Sequence, residues 1–448
     1  ACAVPTTASL LASWPTTWPT STRSECAGTG ALAWALEPVA PPESDADPQA
    51  GQANAWAPMS YDAERDLLFI PTSSASPDFY GGLREGQDKL ANSVLAVDGK
   101  TGTIKWSFQT VHHDVWDYDL PAQPTLTQVR QDGKVRDVVA QATKTGFLFV
   151  LDRDTGEPIW PVEERPVSRN GVEGEHLSPT QPFPTKPPAF VPQELKREDI
   201  WGAAYFDRRG CLARFDELKH EGLFTPPSLE GSLLYPFTGG GANWGGIAVD
   251  AERQIAVVNA SRLAHIITLF PAEAYKGQRE TFHDQEVSPQ AGAPYGMKRE
   301  LFMSSWGMPC TPPPWGTLTA IDLNAGEILW QTPLGSMEMV IDLPLPFETE
   351  IGTPNFGGPL MTRSGLIFIA AAMDRYFRAY DVTSGEMLWR ARLPAGGQAT
   401  PMSYVWEGRQ YVVIAAGGHA LVECPGTVAG PQLVAERALV ELFRQLAQ

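Results

Sequence analysis

The stretch AVDGKTGTIKW, residues 96–106, decides the fold because its pattern recurs along the chain. The other copies are AGTGALAW (27–34), VLDRDTGEPIW (150–160), AIDLNAGEILW (320–330) and AYDVTSGEMLW (379–389). In every copy a glycine lies four residues before the tryptophan. The pattern predicts an apolar strand ending in Asp, a turn in which Gly adopts positive φ, and a second strand carrying an indole. We expect each indole to dock on the neighbouring unit.

The spacing of these units predicts a β-propeller. The intervals between Trp34, Trp106, Trp160, Trp330 and Trp389 are 72, 54, 170 and 59 residues. Because 170 is close to three intervals of about 57, we expect two degenerate copies between Trp160 and Trp330. A period in the fifties, with about four strands per unit, is typical of propeller blades. A β-sandwich with recurrent hairpins is the alternative, although sandwiches rarely repeat a tryptophan at fixed spacing.

The composition favours an all-β protein. The 448 residues include 41 Gly, 40 Pro and 14 Trp, and 19% of them are charged, which is typical of many short strands and turns. The net charge of −18 would repel phosphate backbones and anionic headgroups, so a nucleic-acid partner is not expected. No apolar run reaches the ~20 residues needed to span a bilayer. We expect this chain alone to be soluble.

The five cysteines, Cys2, Cys26, Cys211, Cys310 and Cys424, are scattered and form no CxxC pair. Their spacing gives no support for a zinc site. The odd number leaves at least one thiol unpaired. Whether the chain matures in an oxidising compartment stays open at this point.

The segments outside the repeats are expected to differ from blades. Residues 1–28 show no periodicity and are predicted to be an irregular tail, whereas residues 29–419 form the propeller. Insertions at 161–220 and 271–316 interrupt it. We predict an ordered but irregular loop over 161–200 and a short helix over 207–220. Residues 420–448 lose the pattern, and their apolar residues from Leu433 onward predict an amphipathic helical tail.

The octet HHDVWDYD, residues 112–119, concentrates two imidazoles, three carboxylates and two aromatic rings. If the loop is shielded from water, neighbouring carboxylates raise one another's pKa, and one of them can act as a proton acceptor. The alternative is structural, because Asp-rich loops commonly form turns and cap backbone amides. His112 and His113 are expected to orient neighbouring loops rather than bind metal, since no third ligand lies at useful spacing.

Seven longer runs match one known family in collinear order. They are NAWAP (54–58), QTVHHDVWDYDLPAQPTL (109–126), ATKTGFLFVLDR (142–153), GLFTPPS (222–228), WGGIAVD (244–250), PPWG (313–316) and LPAGGQATPMSY (393–404). Over residues 29–419 the chain resembles the membrane-bound quinoprotein glucose dehydrogenases, a family that also includes quinate/shikimate dehydrogenases and depends on pyrroloquinoline quinone (PQQ). The resemblance implies an eight-bladed propeller with PQQ at its axis and a divalent metal, Ca²⁺ or Mg²⁺, beside it.

The resemblance also implies roles for single residues. The catalytic base falls on Asp117, and the cation that contacts the quinone oxygens falls on Lys144. The tryptophan on which the cofactor ring lies falls on Trp56. The asparagine that contacts the cofactor falls on Asn259, and a polar position before a proline, on the cofactor or metal side, falls on Ser76. No metal ligand is assigned.

The chemistry of these side chains agrees with the implied roles. A flat quinone needs a flat apolar platform, and an indole is the largest one available. Lys144, if protonated, would stabilise negative charge on the quinone oxygens, while Asp117 would take the alcohol proton as hydride leaves the same carbon. Taken alone, Trp56 would be a core residue and Lys144 a solvated hairpin lysine.

Two departures from the family pattern predict an incomplete propeller. Nothing before residue 29 matches the family's membrane helices and opening blades, and the amphipathic tail replaces the closing strand. We therefore expect a chain that is truncated at the N-terminus and atypical at the C-terminus, as a truncation or frameshift would produce. An open propeller exposes two sheet edges. Membrane association is expected only through the missing N-terminal part.

The resemblance favours oxidation of an aldose of the glucose type on the periplasmic side of the inner membrane, with ubiquinone as electron acceptor. Quinate, shikimate or another cyclic polyol is the near alternative, and loops 271–316 and 344–358 are expected to decide the substrate. The alternative from another functional class is a β-propeller of the cell envelope that binds a partner and catalyses no reaction. The trio Trp56, Asp117 and Lys144 discriminates between them, because a scaffold has no need of all three.

Overall fold

The computed structural model describes residues 24–25, 32–33, 53–84, 88–131, 133–275, 280–282, 285–337 and 351–418. These residues form antiparallel strands, one α-helix and three 3₁₀ turns at Asp88–Leu90, Arg197–Asp199 and Ala272–Ala274. No helix among them is both long and apolar enough to cross a bilayer. The all-β class expected from the sequence is confirmed.

The first two blades are adjacent antiparallel sheets. A short pair precedes them, β1 (Ser24–Glu25) and β2 (Leu32–Ala33). Blade 1 has the order β3-β4-β5-β6 and consists of β3 (Ser60–Asp62), β4 (Leu67–Pro71), β5 (Ser93–Asp98) and β6 (Ile104–Gln109). Blade 2 consists of β7 (Thr125–Gln131), β8 (Lys134–Ala142) and β9 (Leu148–Asp152). Central strands such as β5 are buried along most of their length, as expected for sheets that pack face to face.

Two more four-stranded blades follow after a long excursion. In chain order the remaining elements are β10 (Val162–Pro166), β11 (Thr180–Pro184), α1 (Tyr205–Glu217), β12 (Ser232–Leu234), β13 (Ile247–Asp250), β14 (Ile255–Ser261), β15 (His265–Pro271), β16 (Glu280–Phe282), β17 (Gln285–Ser288), β18 (Tyr295–Leu301), β19 (Gly316–Asp322), β20 (Glu327–Pro333), β21 (Leu360–Met361), β22 (Leu366–Ile369), β23 (Tyr376–Asp381), β24 (Met387–Arg392), β25 (Met402–Trp406) and β26 (Arg409–Val413). Blade 3 has the order β13-β14-β19-β20, and blade 4 has the order β21-β22-β23-β24. The hairpin β25–β26 comes last.

The repeated turn has the geometry that its sequence predicts. In the second copy, Asp98 Oδ1 accepts hydrogen bonds from the backbone N–H groups of Lys100 and Thr101 at 3.1 and 2.9 Å. Gly102, with φ of 72°, donates its N–H to the Asp98 carbonyl at 2.8 Å. This conformation is costly for residues with a Cβ, so glycine is required. The same Asp cap recurs at Asp152, Asp322 and Asp381.

Three of the indoles, Trp106, Trp160 and Trp330, pack on the glycine turn of the next blade, as predicted. A Cβ added to Gly156 would lie 2.6 Å from the ring of Trp106, whose Nε1 donates to the carbonyl oxygen of Arg153 at 3.2 Å. In the same way, a Cβ on Gly385 would lie 2.6 Å from the ring of Trp330. Only a residue without a side chain lets the ring approach so closely. Docking therefore joins blade 1 to blade 2 and blade 3 to blade 4.

The expectation of two hidden repeats between Trp160 and Trp330 is wrong. A Cβ on Gly326, in blade 3, would lie 3.0 Å from the ring of Trp160, so blades 2 and 3 are direct neighbours. The long interval instead contains a five-stranded sheet of order β12-β15-β18-β17-β16. Most of this inserted sheet leaves blade 3 after β14 and returns at β19, where Ser261 and Gly316 are paired.

The helix α1 and a disulfide hold the insertion together. The predicted helix over 207–220 is confirmed, since α1 spans Tyr205–Glu217. Cys211 on this helix is bonded to Cys310, which lies 99 residues further along the chain. In the chain-entropy model, closing a loop of that size contributes about 4–5 kcal/mol to stability. The other three cysteines lie outside the described residues.

The remaining expectations about loops are only partly met. Residues 161–200 are not wholly irregular, because β10 and β11 pair over five residues within them. Likewise, the excursion 271–316 supplies β16, β17 and β18 to the inserted sheet. The tail 1–28 apart from Ser24–Glu25, the first tryptophan Trp34, residues 338–350 and the tail from residue 419 lie outside the described part of the chain.

His113 connects the loop after β6 to two other segments. Its Nδ1 lies 2.7 Å from Asp88 Oδ2, and its Nε2 lies 2.8 Å from Glu175 Oε1. His112 likewise reaches Glu164 on β10, with Nε2 and Oε1 3.0 Å apart. The prediction that the histidines orient loops is confirmed. Burial disfavours the protonated imidazole of His113, but the hydrogen bonds with both carboxylates outweigh it and raise its pKa to about 9.

Gly385→Ala tests the docking of the indoles. The new methyl group would meet both the positive φ of 72° and the Trp330 ring, so we expect a loss of about 2–4 kcal/mol in unfolding free energy. Gly133→Ala is the matched control, because Gly133 has φ of 74° and no atom within 4 Å of the added Cβ. It should lose about 1 kcal/mol. Equal losses in urea denaturation would contradict the docking interpretation.

His113→Gln should flatten the pH dependence of stability. The pKa in the folded state lies above the ordinary value of 6.5, so the ionic stabilisation is complete below pH 6.5 and is lost as pH rises through about 9. It amounts to at most about 3 kcal/mol. The urea midpoint of the wild type should therefore fall more steeply from pH 6.5 to 9.5 than that of the variant. Parallel curves for wild type and His113→Gln would refute this role.

Candidate active site

Four segments meet at one end of blades 1 and 2. They are the residues before β3, the loop after β4, the loop after β6 and the turn between β8 and β9, which carry Trp56, Ser76, Asp117 and Lys144 respectively. Loops on rigid sheets place side chains without disturbing strand pairing. The structure joins these four residues through hydrogen bonds and a shared cavity.

Lys144 is a buried cation shared by two carboxylates. Its Nζ lies 3.0 Å from Oδ1 of Asp117 and 2.6 Å from Oδ1 of Asp119. It also donates to the Asp117 carbonyl oxygen at 2.8 Å. Gly240, with φ of 78°, packs against it so closely that a Cβ there would lie 2.4 Å from the Lys144 Cβ. With 6% of the residue exposed, the alternative of a solvated hairpin lysine is wrong.

Trp56 is held by a hydrogen bond at its indole nitrogen, and half of its surface is exposed. The indole Nε1 donates to Asp119 Oδ2 at 2.7 Å, which links it to the carboxylate that also contacts Lys144. The residue is 52% exposed. The alternative of a core tryptophan is therefore wrong. An indole held at one edge with half of its surface accessible can serve as a stacking platform.

Asp117 opens on a cavity of about 560 Å³. Its φ of 59° is uncommon for a residue other than glycine, and such conformations cluster at functional sites. Oδ2 lies 3.4 Å from Nη1 of Arg299, which is on β18 of the inserted sheet. Ser76 lines the same cavity. The volume of this cavity is within the range of about 300–1,000 Å³ that is typical of small-molecule sites.

Lys144 stays protonated, and Asp117 titrates near neutrality. Burial disfavours the ammonium of Lys144, but Asp117 and Asp119 outweigh burial and hold its pKa above the usual value. Burial raises the pKa of the Asp117 carboxyl to about 7. Lys144 and Arg299 lower this pKa, while Asp119 and Asp78 raise it. A carboxyl group with this pKa can exchange a proton at physiological pH.

Asp114 serves the structure of the loop. Its buried carboxylate accepts hydrogen bonds from the backbone N–H groups of Trp116 and Tyr118 and from the side chain of Asn92, all at 2.8 Å. Ser74 also donates to it. The structural alternative for the octet is thus correct for Asp114, while the other two carboxylates contact Lys144.

Asn259 does not join this group. Its Nδ2 donates to Asn355 Oδ1 at 2.6 Å and to the Gly357 carbonyl at 2.7 Å, and these contacts connect blade 3 to the segment before β21. Its Oδ1 is buried and accepts no hydrogen bond from the described residues. The role implied for Asn259 stays a prediction.

The sequence analysis missed three charged residues of the cavity wall. Asp78, Glu286 and Arg299 line the cavity with Asp117, and none was singled out. Asp78 follows Ser76 by two residues and could have been noticed there. Glu286 and Arg299 gave no local signal, because β17 and β18 reach the site only through the pairing of the inserted sheet.

The described residues fit a flat quinone cofactor. The exposed Trp56, the protonated Lys144 and the cavity provide an aromatic ring, a cation and space. Within the described residues, no group of three or more His, Cys, Asp or Glu side chains is arranged to hold a metal ion, and we assign no metal ligand.

Sequence comparison identifies relatives along most of the chain. The family model of the PQQ glucose/ethanol/alcohol dehydrogenase β-propeller domain matches residues 23–412. Quinoprotein glucose dehydrogenase of Escherichia coli K12 is 42% identical over 422 residues, covering 91% of this chain and 52% of that protein. Quinate/shikimate dehydrogenase (quinone) of Acinetobacter baylyi is 40% identical, covering 87% of this chain and 50% of that protein. This chain therefore spans about half the length of these relatives.

Solved structures show the same architecture. Quinohemoprotein alcohol dehydrogenase from Comamonas testosteroni superposes with a TM-score of 0.53 at 23% identity, covering 82% of this chain and 45% of that one. A europium-containing methanol dehydrogenase gives 0.52 at 20% identity, covering 82% and 52%. These likenesses show that the blades form a β-propeller of the quinoprotein type. Together with the family match over residues 23–412, they establish that this chain belongs to the PQQ-dependent dehydrogenases.

Proposed function

We propose that this chain forms the catalytic site of a dehydrogenase that oxidises an alcohol carbon of an aldose, with ubiquinone as the final electron acceptor. The observation that carries the proposal is the ion pair of Lys144 and Asp117, with 3.0 Å between Nζ and Oδ1, at a cavity of about 560 Å³. Burying a lysine with carboxylates costs desolvation free energy, and a scaffold propeller gains little from it. Such groups are frequent at catalytic sites.

Asp117 is the general base in this proposal. It would accept the proton of the substrate hydroxyl while hydride leaves the carbon that carries this hydroxyl. Its carboxylate is oriented on both oxygens, by Lys144 on Oδ1 and by Arg299 on Oδ2. The pKa of about 7 places it close to the operating pH, which favours both the free carboxylate and the uptake of a proton.

Lys144 would hold a fixed positive charge beside the quinone oxygens. A unit charge at ~4 Å, with an effective dielectric constant of about 20, is worth roughly 4 kcal/mol, or about three decades in rate. The two carboxylates that raise its pKa keep this charge present at neutral pH. PQQ, when bound, supplies the hydride acceptor.

The other carried-over residues would hold the cofactor. Trp56 would stack under the ring, because half of its surface is exposed and its nitrogen is fixed by Asp119. Ser76 would contact the cofactor from the cavity wall, and Asn259 would use its unpaired Oδ1. A Ca²⁺ or Mg²⁺ ion is expected with PQQ, although its ligands are not assigned.

The relatives support an aldose as the substrate. Proteins named quinoprotein glucose dehydrogenase, from Escherichia coli K12 and Gluconobacter oxydans, are 42% and 41% identical to this chain. Quinate or shikimate remains the alternative, supported by the relative of Acinetobacter baylyi at 40% identity. The word quinone in that relative's name supports a quinone as electron acceptor.

We place the protein on the periplasmic side of the inner membrane. The disulfide between Cys211 and Cys310 supports an oxidising compartment, because such bonds are rarely maintained in the cytosol.

Reconstitution of the purified chain tests the proposed function. We expect it to bind PQQ in the presence of Ca²⁺ or Mg²⁺ and to reduce an artificial dye when glucose or another aldose is added. Folding is checked by circular dichroism in the same samples. A folded chain that reduces no dye with any aldose or cyclic polyol would refute the proposal and favour a binding module of the cell envelope.

Asp117→Asn separates the base from cofactor binding. The amide cannot accept the substrate proton, so turnover should fall by about two to four decades while the affinity for PQQ changes little. Turnover is measured by dye reduction and affinity by quenching of tryptophan fluorescence. Asp154→Asn, at an exposed ion pair with Arg65, is the control and should behave like the wild type. Unchanged turnover in Asp117→Asn would remove this residue from its role.

A further inference from the structure

Glu286 and Arg299 bring a charge pair from the inserted sheet into the cavity wall. They are directly opposite in the register of β17 and β18. Nη2 of Arg299 donates to the Glu286 carboxylate, and Nη1 donates to Thr238 Oγ1 at 2.9 Å. The same Nη1 lies 3.4 Å from Asp117 Oδ2. The inserted sheet therefore contacts the proposed base through one guanidinium group.

Most of the ionisable side chains in the cavity wall are acidic. Among the described residues, these side chains are Asp78, Asp117, Glu286 and Arg299. Arg299 already contacts Glu286 and Asp117, and Lys144, behind the wall, contacts Asp117 and Asp119. Arg84, which lowers the pKa of the cavity-lining Asp78, is in turn paired with Asp88. These three cations near the cavity are thus all engaged by carboxylates of the protein.

We propose that Glu286 and Arg299 form a charge filter, which admits neutral polyhydroxylated substrates and disfavours substrates that carry a carboxylate. This inference rests on the proposed function and narrows its substrate class. An anionic substrate would face Asp78 and Glu286 in a partly enclosed space, where like charges are weakly screened. It would also have to displace one of the carboxylates that hold Arg299.

A neutral sugar meets complementary groups instead. Its hydroxyls can donate to Glu286 and accept from Arg299, because a hydroxyl has both capacities. Ser76 and Ser288 line the same wall and add two hydroxyls of the protein. A wall with donors and acceptors side by side suits a polyol, whereas a carboxylate offers acceptors only.

A ligand pair of nearly equal shape, of which one member is anionic and the other neutral, tests the filter. We would use a hexuronate and its neutral amide, titrated calorimetrically into the chain with and without PQQ, and compare kcat/KM by dye reduction. The amide should be preferred by about tenfold or more in both measurements. Equal or tighter binding of the uronate would overturn the inference.

Two variants should change this preference in opposite directions. Glu286→Gln removes one negative charge and releases Arg299, so the preference for the amide should fall about tenfold. Arg299→Gln leaves the carboxylates without their cation, so the preference should increase. Glu300→Gln is the matched control, because Glu300 is the next residue on β18 and pairs with Arg214 and Lys298 away from the cavity. It should keep the wild-type preference.

The opposite signs separate a charge filter from structural damage. Damage to the inserted sheet would weaken the binding of both ligands in both variants. It would not shift the preference for the amide in opposite directions. Shifts of the same sign in Glu286→Gln and Arg299→Gln, or an equal shift in Glu300→Gln, would refute the filter. Failure of the proposed function would look different, because dye reduction would then be absent with every ligand. The ratio of the affinities for the uronate and the amide would still test the filter in that case.

Discussion

The close approach of an indole to a backbone without a side chain is the constraint on which the structure depends. Trp106 on Gly156, Trp160 on Gly326 and Trp330 on Gly385 decide which sheets are neighbours. Because the first of these contacts sets blade 1 beside blade 2, the loop after β6 comes to lie next to the turn between β8 and β9. Residues 27 positions apart in sequence, Asp117 and Lys144, then share one ion pair.

The site combines this fixed arrangement with a balance of charges. Lys144 is stabilised by two carboxylates, whereas Asp117 is surrounded by two cations and by further acids. The lysine thus keeps its proton, and the aspartate is poised to exchange one near pH 7. A quinone-dependent oxidation needs these two behaviours in adjacent groups. The burial that produces them comes from the packing of blades, so stability and chemistry have a common origin.

Much of this arrangement was predictable from the sequence. The repeat was readable because the Asp cap and the glycine turn involve neighbouring residues, and the docking of Trp106 joins two consecutive copies of the same pattern. The resemblance to a known family placed Trp56, Ser76, Asp117 and Lys144, and the structure joins them. The two extra repeats expected before Trp330 were wrong, because a length interval does not distinguish a blade from an insertion. Arg299 and Glu286 were missed because strand pairing over long separations, rather than a motif, brings them to the cavity.

The inserted sheet is attached to blade 3 by stems that touch. Apart from β12, which precedes β13, its strands leave blade 3 after Ser261 and return at Gly316, and these two residues are paired in adjacent strands. A segment with such stems can lengthen, shorten or be exchanged without altering the strand order of the blade. The wall of the cavity that Glu286 and Arg299 form can therefore change while the loops of blades 1 and 2 still hold Asp117 beside Lys144.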